Sequence, residues 1–301
     1  MTMRTTRSLV PLASFLLALS LLLAACGDTD DASDASNDDS AHLDRMAREH
    51  ADDSPDSGTA AAWMEPAVPV NGERVEYATI DGKKVSGYLA APASPADSAI
   101  PAVIAIHEWW GLNENMEAMA RRIAGEGYRV LAVDLYNGEV ATTPEQAKAA
   151  SKKAGENKPV GVDNLRQAID YLKAQGAASI GVIGWCFGGG WSLTTATSFP
   201  EEIDAAVIYY GHVSTDPAEL KKVSMPLLGI FGEKDTGIPI DHVNHFAHVL
   251  DSLGADATIE IYPNAEHAFA NPSGERYNAE AAVDAWGKTA AFLKRHLGGA
   301  R

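Results

Sequence analysis

Ile180-Gly181-Val182-Ile183-Gly184-Trp185-Cys186-Phe187-Gly188-Gly189-Gly190-Trp191-Ser192-Leu193 begins as an apolar run, passes a thiol flanked by glycines and continues with helix-compatible residues. It reads as strand, sharp turn and helix, with Cys186 at the apex. The glycines let the backbone turn tightly. The helix that follows presents its free N–H groups and positive dipole end to Cys186, which favours thiolate over thiol. The segment points to covalent hydrolytic chemistry on an α/β sheet.

Outward from this segment, strand and helix patterns alternate. Val75, Tyr77 and Ile80, then Val85, Tyr88 and Ala90, lie on either side of Asp81-Gly82 and predict two strands joined by a tight hairpin. Ala102–Ile106, Arg129–Val133, Ile180–Ile183, Ala205–Tyr210, Leu227–Phe231 and Thr258–Tyr262 are apolar along most of their length, as parallel strands covered on both faces are. Helical patterns fall between or after them at Asn115–Ala124, Pro144–Ala154, Val162–Ala174, Gly189–Thr197, His242–Leu253 and Ala279–Leu297. The expected fold is α/β, a mainly parallel, doubly covered sheet with an antiparallel N-terminal hairpin.

Reactive groups in open α/β sheets gather beyond the C-terminal strand ends. Asp235 lies in Gly232-Glu233-Lys234-Asp235-Thr236-Gly237 after one strand, and His267 in Pro263-Asn264-Ala265-Glu266-His267-Ala268-Phe269 after the next. The order nucleophile, acid, histidine is that of α/β-hydrolases. In such a set His267 takes the proton from Cys186 and later assists water, while Asp235 fixes the imidazole tautomer. Asp241 is a competing carboxylate six residues on; Asp235 is preferred for its place directly after a strand. His42 and His50 fall in the N-terminal tail, His296 in the terminal helix, and His107 and His212 before the position a base requires. His107-Glu108-Trp109-Trp110-Gly111-Leu112-Asn113 stands where an oxyanion-hole loop belongs.

Gly184-x-Cys186-x-Gly188-Gly189, Gly232-x-x-Asp235, His267-x-Phe269 and Glu108 at the third-strand end resemble the dienelactone hydrolase family, over about Glu73 to Leu297. The resemblance implies a triad of Cys186, Asp235 and His267, with Glu108 touching the thiol at rest and moving when substrate arrives. It also implies an oxyanion hole from the backbone N–H groups of Phe187 and Trp109, donors that typically contribute about two to three orders of magnitude in rate. Members that open chlorinated catechol lactones clamp the substrate carboxylate with two arginines. Asn271 stands at the first of those positions and Pro144 at the second, which leaves Lys148 and Arg276 as cations that could act from elsewhere. An uncharged small ester or lactone is therefore the expected substrate. Trp110, Tyr209, Tyr210 and Asn271 are candidates for its pocket, although aromatic residues more often fill cores.

At the N-terminus, Arg4 and Arg7, the apolar run Phe15 to Leu23 and Leu23-Ala24-Ala25-Cys26 form a positive start, an apolar centre and a small-residue cleavage site. The ending resembles the lipobox of bacterial lipoproteins. That implies a signal peptide over 1–25, lipid on Cys26 and a protein anchored on the periplasmic or cell-surface side of a membrane. Residues 26–60 read as an acidic, flexible tether and 61–301 as one hydrolase domain. Leu43, Met46, Ala47 and His50 fall at helical spacing and could dock as a short helix, but a solvated tether is the preferred reading. With Cys26 lipidated, Cys186 has no partner for an intramolecular disulfide.

The formal net charge is -17, which disfavours nucleic acid and anionic lipid as partners. The bilayer enters through the lipid alone, the oligomeric state is open with a monomer favoured, and the small-molecule substrate is the remaining partner. Neither metal nor organic cofactor is expected: His242, His245 and His248 lack zinc-ligand spacing, and Cys186 interrupts any Gly-x-Gly-x-x-Gly loop. The rival readings are acyl transfer or peptide cleavage on the same scaffold, and a binding lipoprotein without turnover.

Overall fold

A computed structural model describes residues 41–51, 53, 65–94 and 100–298. The expected leader, Cys26 and most of the acidic tail lie outside these residues. Eight strands make one sheet: β1 (Val70–Ile80), β2 (Lys83–Pro92), β3 (Ala102–Ile106), β4 (Arg129–Val133), β5 (Ile180–Trp185), β6 (Ala205–Tyr209), β7 (Leu227–Gly232) and β8 (Ala257–Tyr262). β1 and β2 are antiparallel about a turn in which Asp81 (φ 50°) and Gly82 (φ 75°) both take left-handed backbone, the signature of a type I′ hairpin. β2 joins β4 antiparallel, and β3 to β8 run parallel. The α/β architecture is as the alternating pattern predicts.

The strand order is β1-β2-β4-β3-β5-β6-β7-β8. From β3 the chain steps to one side to form β4, then returns past β3 to place β5 on its other side. The C-terminal ends of β3 and β5 thus flank the topological switch point, where open α/β sheets form their crevice. Glu108 follows β3 and Cys186 follows β5. Every residue of β3, β5, β6 and β7 is buried, whereas edge strand β8 is mostly half-exposed.

Helices cover both faces. On one, α2 (Glu114–Gly125) meets α8 (Ala279–Leu297), with the Arg122 guanidinium 4.1 Å above the Trp286 ring. On the other, α4 (Lys158–Ala174) packs on α3 (Pro144–Glu156) and on α5 (Phe187–Ser198). The short α6 (Pro217–Leu220) and α7 (Ile240–Ser252) complete the far side. Side-chain caps set several starts: Asn113 accepts from the Met116 N–H, Thr143 from Gln146 with Pro144 just inside, and Asn278 from Ala281. Tyr77 on β1 donates to Asn164 of α4 at 2.7 Å and accepts the Asp134 N–H at 3.0 Å, which ties the hairpin to the end of β4.

Residues 41–49 form one more helix, α1, docked on the domain. This departs from the preferred reading of a solvated tether. Met46 and His50 are each only 3% exposed, Met46 packs against Gly237, and Arg45 donates to the Gly237 carbonyl at 3.3 Å. The acidic composition hid a face that an apolar side chain and several ion pairs anchor.

Gly188 passes so close to β3 that a Cβ there would fall 2.3 Å from the Ile106 carbonyl oxygen, whereas among the described residues nothing lies within 4 Å of one at Gly155 in α3. In chemical denaturation Gly188→Ala should cost about 1–3 kcal/mol through overpacking. Gly155→Ala should add about 0.5–1 kcal/mol through helix propensity. Equal effects would contradict the packing described.

Candidate active site

Cys186 sits between β5 and α5 at φ 54°, ψ -117°, backbone that an L-residue adopts at a cost of about 1–3 kcal/mol unless its surroundings enforce it. Here they do. Its N–H donates to the Tyr209 carbonyl at 3.0 Å, and its own carbonyl accepts from Gly189 at 2.9 Å. A Cβ on Gly184 would fall 1.9 Å from the Gly188 oxygen, so strand end and helix start are in backbone contact. Phe187 is the first helical residue, where N–H groups lack an intrahelical acceptor.

The loops after β7 and β8 bring the acid and the imidazole together. Asp235 Oδ1 accepts from the Ile238 N–H at 2.7 Å, and Oδ2 accepts from His267 Nδ1 at 2.7 Å. His267 is fully buried and Asp235 is 4% exposed. With Nδ1 committed, His267 turns Nε2 toward Cys186 Sγ. The structure therefore brings together the three residues whose order along the chain nominated them.

A second imidazole also reaches the thiol. His50, at the end of α1, lies against Trp109 with ring centroids 4.4 Å apart and stands edge-on to His267 at 5.2 Å. Its Nδ1 donates to Asp53 Oδ2 at 2.6 Å, and Arg276 clasps the same oxygen at 2.6 Å while donating to the carbonyls of Glu49 at 2.6 Å and His267 at 3.0 Å. The Thr236 hydroxyl donates to the Glu49 carboxylate, and Lys148 pairs with Asp44 at 2.7 Å. Both cations that could have met a substrate carboxylate are thereby committed to the N-terminal segment.

These contacts set the charges. Burial pushes the Cys186 thiol up, but the positive charges of His267 and then His50 beside it outweigh burial and hold the thiol at about 6. Burial lowers His267, yet Asp235 and the thiolate raise it well above the ordinary histidine value. His50 is raised in the same way, burial being outweighed by Asp53 and Cys186. Burial first, and then the charge on Cys186, raise Glu108 to about 7.

Glu108 Oε2 accepts from Asn271 Nδ2 at 2.9 Å, and the two imidazoles lie beside the sulfur, where a thiolate attracts imidazolium. Glu108, Met116, Trp185, Tyr210 and Asn271 line a narrow pocket. Tyr210 stands edge-on to His267 at 5.1 Å. Tyr209 points away, its hydroxyl 2.7 Å from Thr289 Oγ1, and Trp110 is buried against Trp109 and His50. His107 was passed over as a base and has another task. Its Nε2 accepts the Leu135 N–H at 3.2 Å and its Nδ1 donates to the Glu108 carbonyl at 2.6 Å, which fixes the loop carrying Glu108 and Trp109 to the end of β4.

The dienelactone hydrolase family profile matches residues 85–297. Protein usf of Aquifex pyrophilus is 36% identical over 234 residues, 75% of this chain and 99% of its own length. A Saccharolobus solfataricus protein provisionally named carboxymethylenebutenolidase is 32% identical, over 71% of this chain and 95% of its own. A solved Klebsiella pneumoniae structure, provisionally called a dienelactone hydrolase, superposes with a TM-score of 0.68 at 26% identity, covering 76% of this chain and all of that one.

The contacts of Arg276 make it the clasp of the N-terminal segment. Arg276→Leu should speed amide hydrogen exchange across residues 41–51 by about tenfold or more while leaving β3 and β5 protected. Unchanged protection of that segment would show that α1 is held without the clasp.

Proposed function

The chain belongs to the dienelactone hydrolase family, and on that premise we propose that it cleaves an uncharged small carboxylic ester or lactone through a thioester on Cys186. The observation that carries this reading is the buried line from Asp235 through His267 to a thiol held at about 6 on a strained turn. The Cys186 thiolate attacks the carbonyl carbon. The oxyanion forms toward the backbone N–H groups of Phe187 and Trp109, which follow the two strand ends at the switch point. The tetrahedral intermediate expels the alkoxide, His267 supplies its proton, and the acyl group remains on sulfur. His267 then takes a proton from water, whose oxygen attacks the thioester, and the thiolate leaves with the acid as product. Asp235 keeps Nδ1 protonated throughout, so that Nε2 does the exchanging.

An uncharged substrate is favoured by what lines the site. Asn271 is spent on Glu108, while Arg276 and Lys148 are spent on Asp53 and Asp44. The Tyr210 hydroxyl and the Trp109 indole N–H are buried without a partner among the described residues, neutral groups suited to ester or hydroxyl oxygens. By the same reading of the leader, the mature chain begins at a lipidated Cys26 and works outside the cytoplasm; Leu23-Ala24-Ala25-Cys26 after an apolar run supports this.

The full chain should hydrolyse neutral aryl esters and accumulate a mass adduct equal to the acyl group. Both should vanish in Cys186→Ala, and Asp235→Asn should lower kcat by about two orders of magnitude or more. A carboxylate-bearing lactone preferred strongly over a matched neutral one would overturn the substrate reading. Expressed in a bacterium, the chain should take up labelled fatty acid and fractionate with membranes, and Cys26→Ser should abolish the label. A labelled Cys26→Ser protein would refute the anchor.

A further inference from the structure

The two imidazoles beside Cys186 share one feature, although His50 Nδ1 also lies 3.0 Å from Arg276 Nη2. Each gives its Nδ1 proton to a carboxylate, His50 to Asp53 at 2.6 Å and His267 to Asp235 at 2.7 Å. Each therefore turns Nε2 inward, and both Nε2 atoms are buried without a hydrogen-bond partner among the described residues. One nitrogen of each ring and Cys186 Sγ lie within 4.8 Å of one another, and Nε2 is the nitrogen each ring has left to offer. Histidines with one nitrogen fixed by a carboxylate and the other unspent are arranged as metal-binding histidines are.

We infer that His50 Nε2, His267 Nε2 and Cys186 Sγ form a site for a soft divalent cation of the zinc class, with the fourth position open to water or a small anion. Two imidazoles and a thiolate select such an ion over magnesium or calcium, which prefer oxygen. The size is suitable. An ion centred among atoms no more than 4.8 Å apart lies within about 2.8 Å of each, so each donor needs to move by less than about 1 Å to reach bonding distances of about 2.0–2.3 Å. Any proton on either Nε2 leaves to solvent as the ion binds. Asp53 is itself held by Arg276, so the orienting shell is complete on both sides.

His50 and Asp53 lie outside the matched family region of residues 85–297, so this site depends on the N-terminal segment of this chain. The inference goes beyond the ester-hydrolase reading and does not require it. Where that reading holds, the ion occupies the lone pair that would attack the carbonyl and the last nitrogen that could take a proton. The loaded protein is then held inactive, and removal of the ion releases it.

The full chain, stripped with chelator, is titrated with cobalt(II) and followed by its absorption spectrum, with zinc(II) as competitor. The expected result is a thiolate-to-cobalt charge-transfer band that saturates at one equivalent, is displaced by zinc and is absent in Cys186→Ser. His50→Ala should weaken binding at least about tenfold with an unchanged far-ultraviolet circular dichroism spectrum. If His50→Ala disturbs the fold, Asp53→Asn decides the point in the same way, because it keeps the imidazole and removes only its orienting partner. No band at one equivalent, or wild-type affinity in the well-folded variant, would overturn the inference. Ester hydrolysis by the metal-free protein is read separately, so failure of the nucleophile reading and failure of the metal site are distinguishable.

Discussion

A thiolate kept out of water is the constraint on which this structure depends. Cys186 is only 5% exposed, and an uncompensated buried ion costs several kcal/mol. The compensation is layered. His267 and His50 face the sulfur, Asp235 and Asp53 hold their outer nitrogens, and Arg276 holds Asp53. Each group is buried because its neighbour is charged, and removing one leaves another unpaired. The same arrangement reaches Glu108, held by Asn271, whose carboxyl burial first and then the thiolate raise to about 7.

The fold supplies the place and the direction. The reversal of strand order between β3 and β5 opens a crevice at their C-terminal ends, and the turn at Cys186 raises its side chain into it. Parallel strands buried on both faces make that floor rigid, and the backbone contact of Gly188 with the end of β3 fixes the distance between the thiol and the Glu108-Trp109 loop. His107 pins that loop to β4 without taking part in chemistry. α1 then closes the site from outside the sheet.

Much of this was legible in the sequence because its signals are local. The apolar runs became strands within two residues of their expected ends, and Cys186, Asp235 and His267 were nominated by their places after strands. Residues 41–51 and Asp53 were not, because what fixes them is distant: His50 meets Trp109 and His267, and Asp53 meets Arg276. The helical spacing of Leu43, Met46, Ala47 and His50 was the available signal, and ten aspartates between 27 and 60 argued against it. Tyr209 and Tyr210 show another limit. Tyr209 is the last residue of β6 and Tyr210 lies just beyond it, at φ 36°, so the two side chains diverge: Tyr209 reaches α8 and Tyr210 reaches His267.

The central claim is that Cys186 is ionised near neutral pH because imidazolium groups surround it. The most direct measurement is the ultraviolet absorbance of the thiolate, wild type minus Cys186→Ala, followed across pH in the metal-free full chain. A half-point near the value of about 6 that His267 and His50 impose, moving upward in His267→Ala, is the predicted result. A half-point at about 8.5 or above in the wild type, the range of an ordinary thiol, would contradict it.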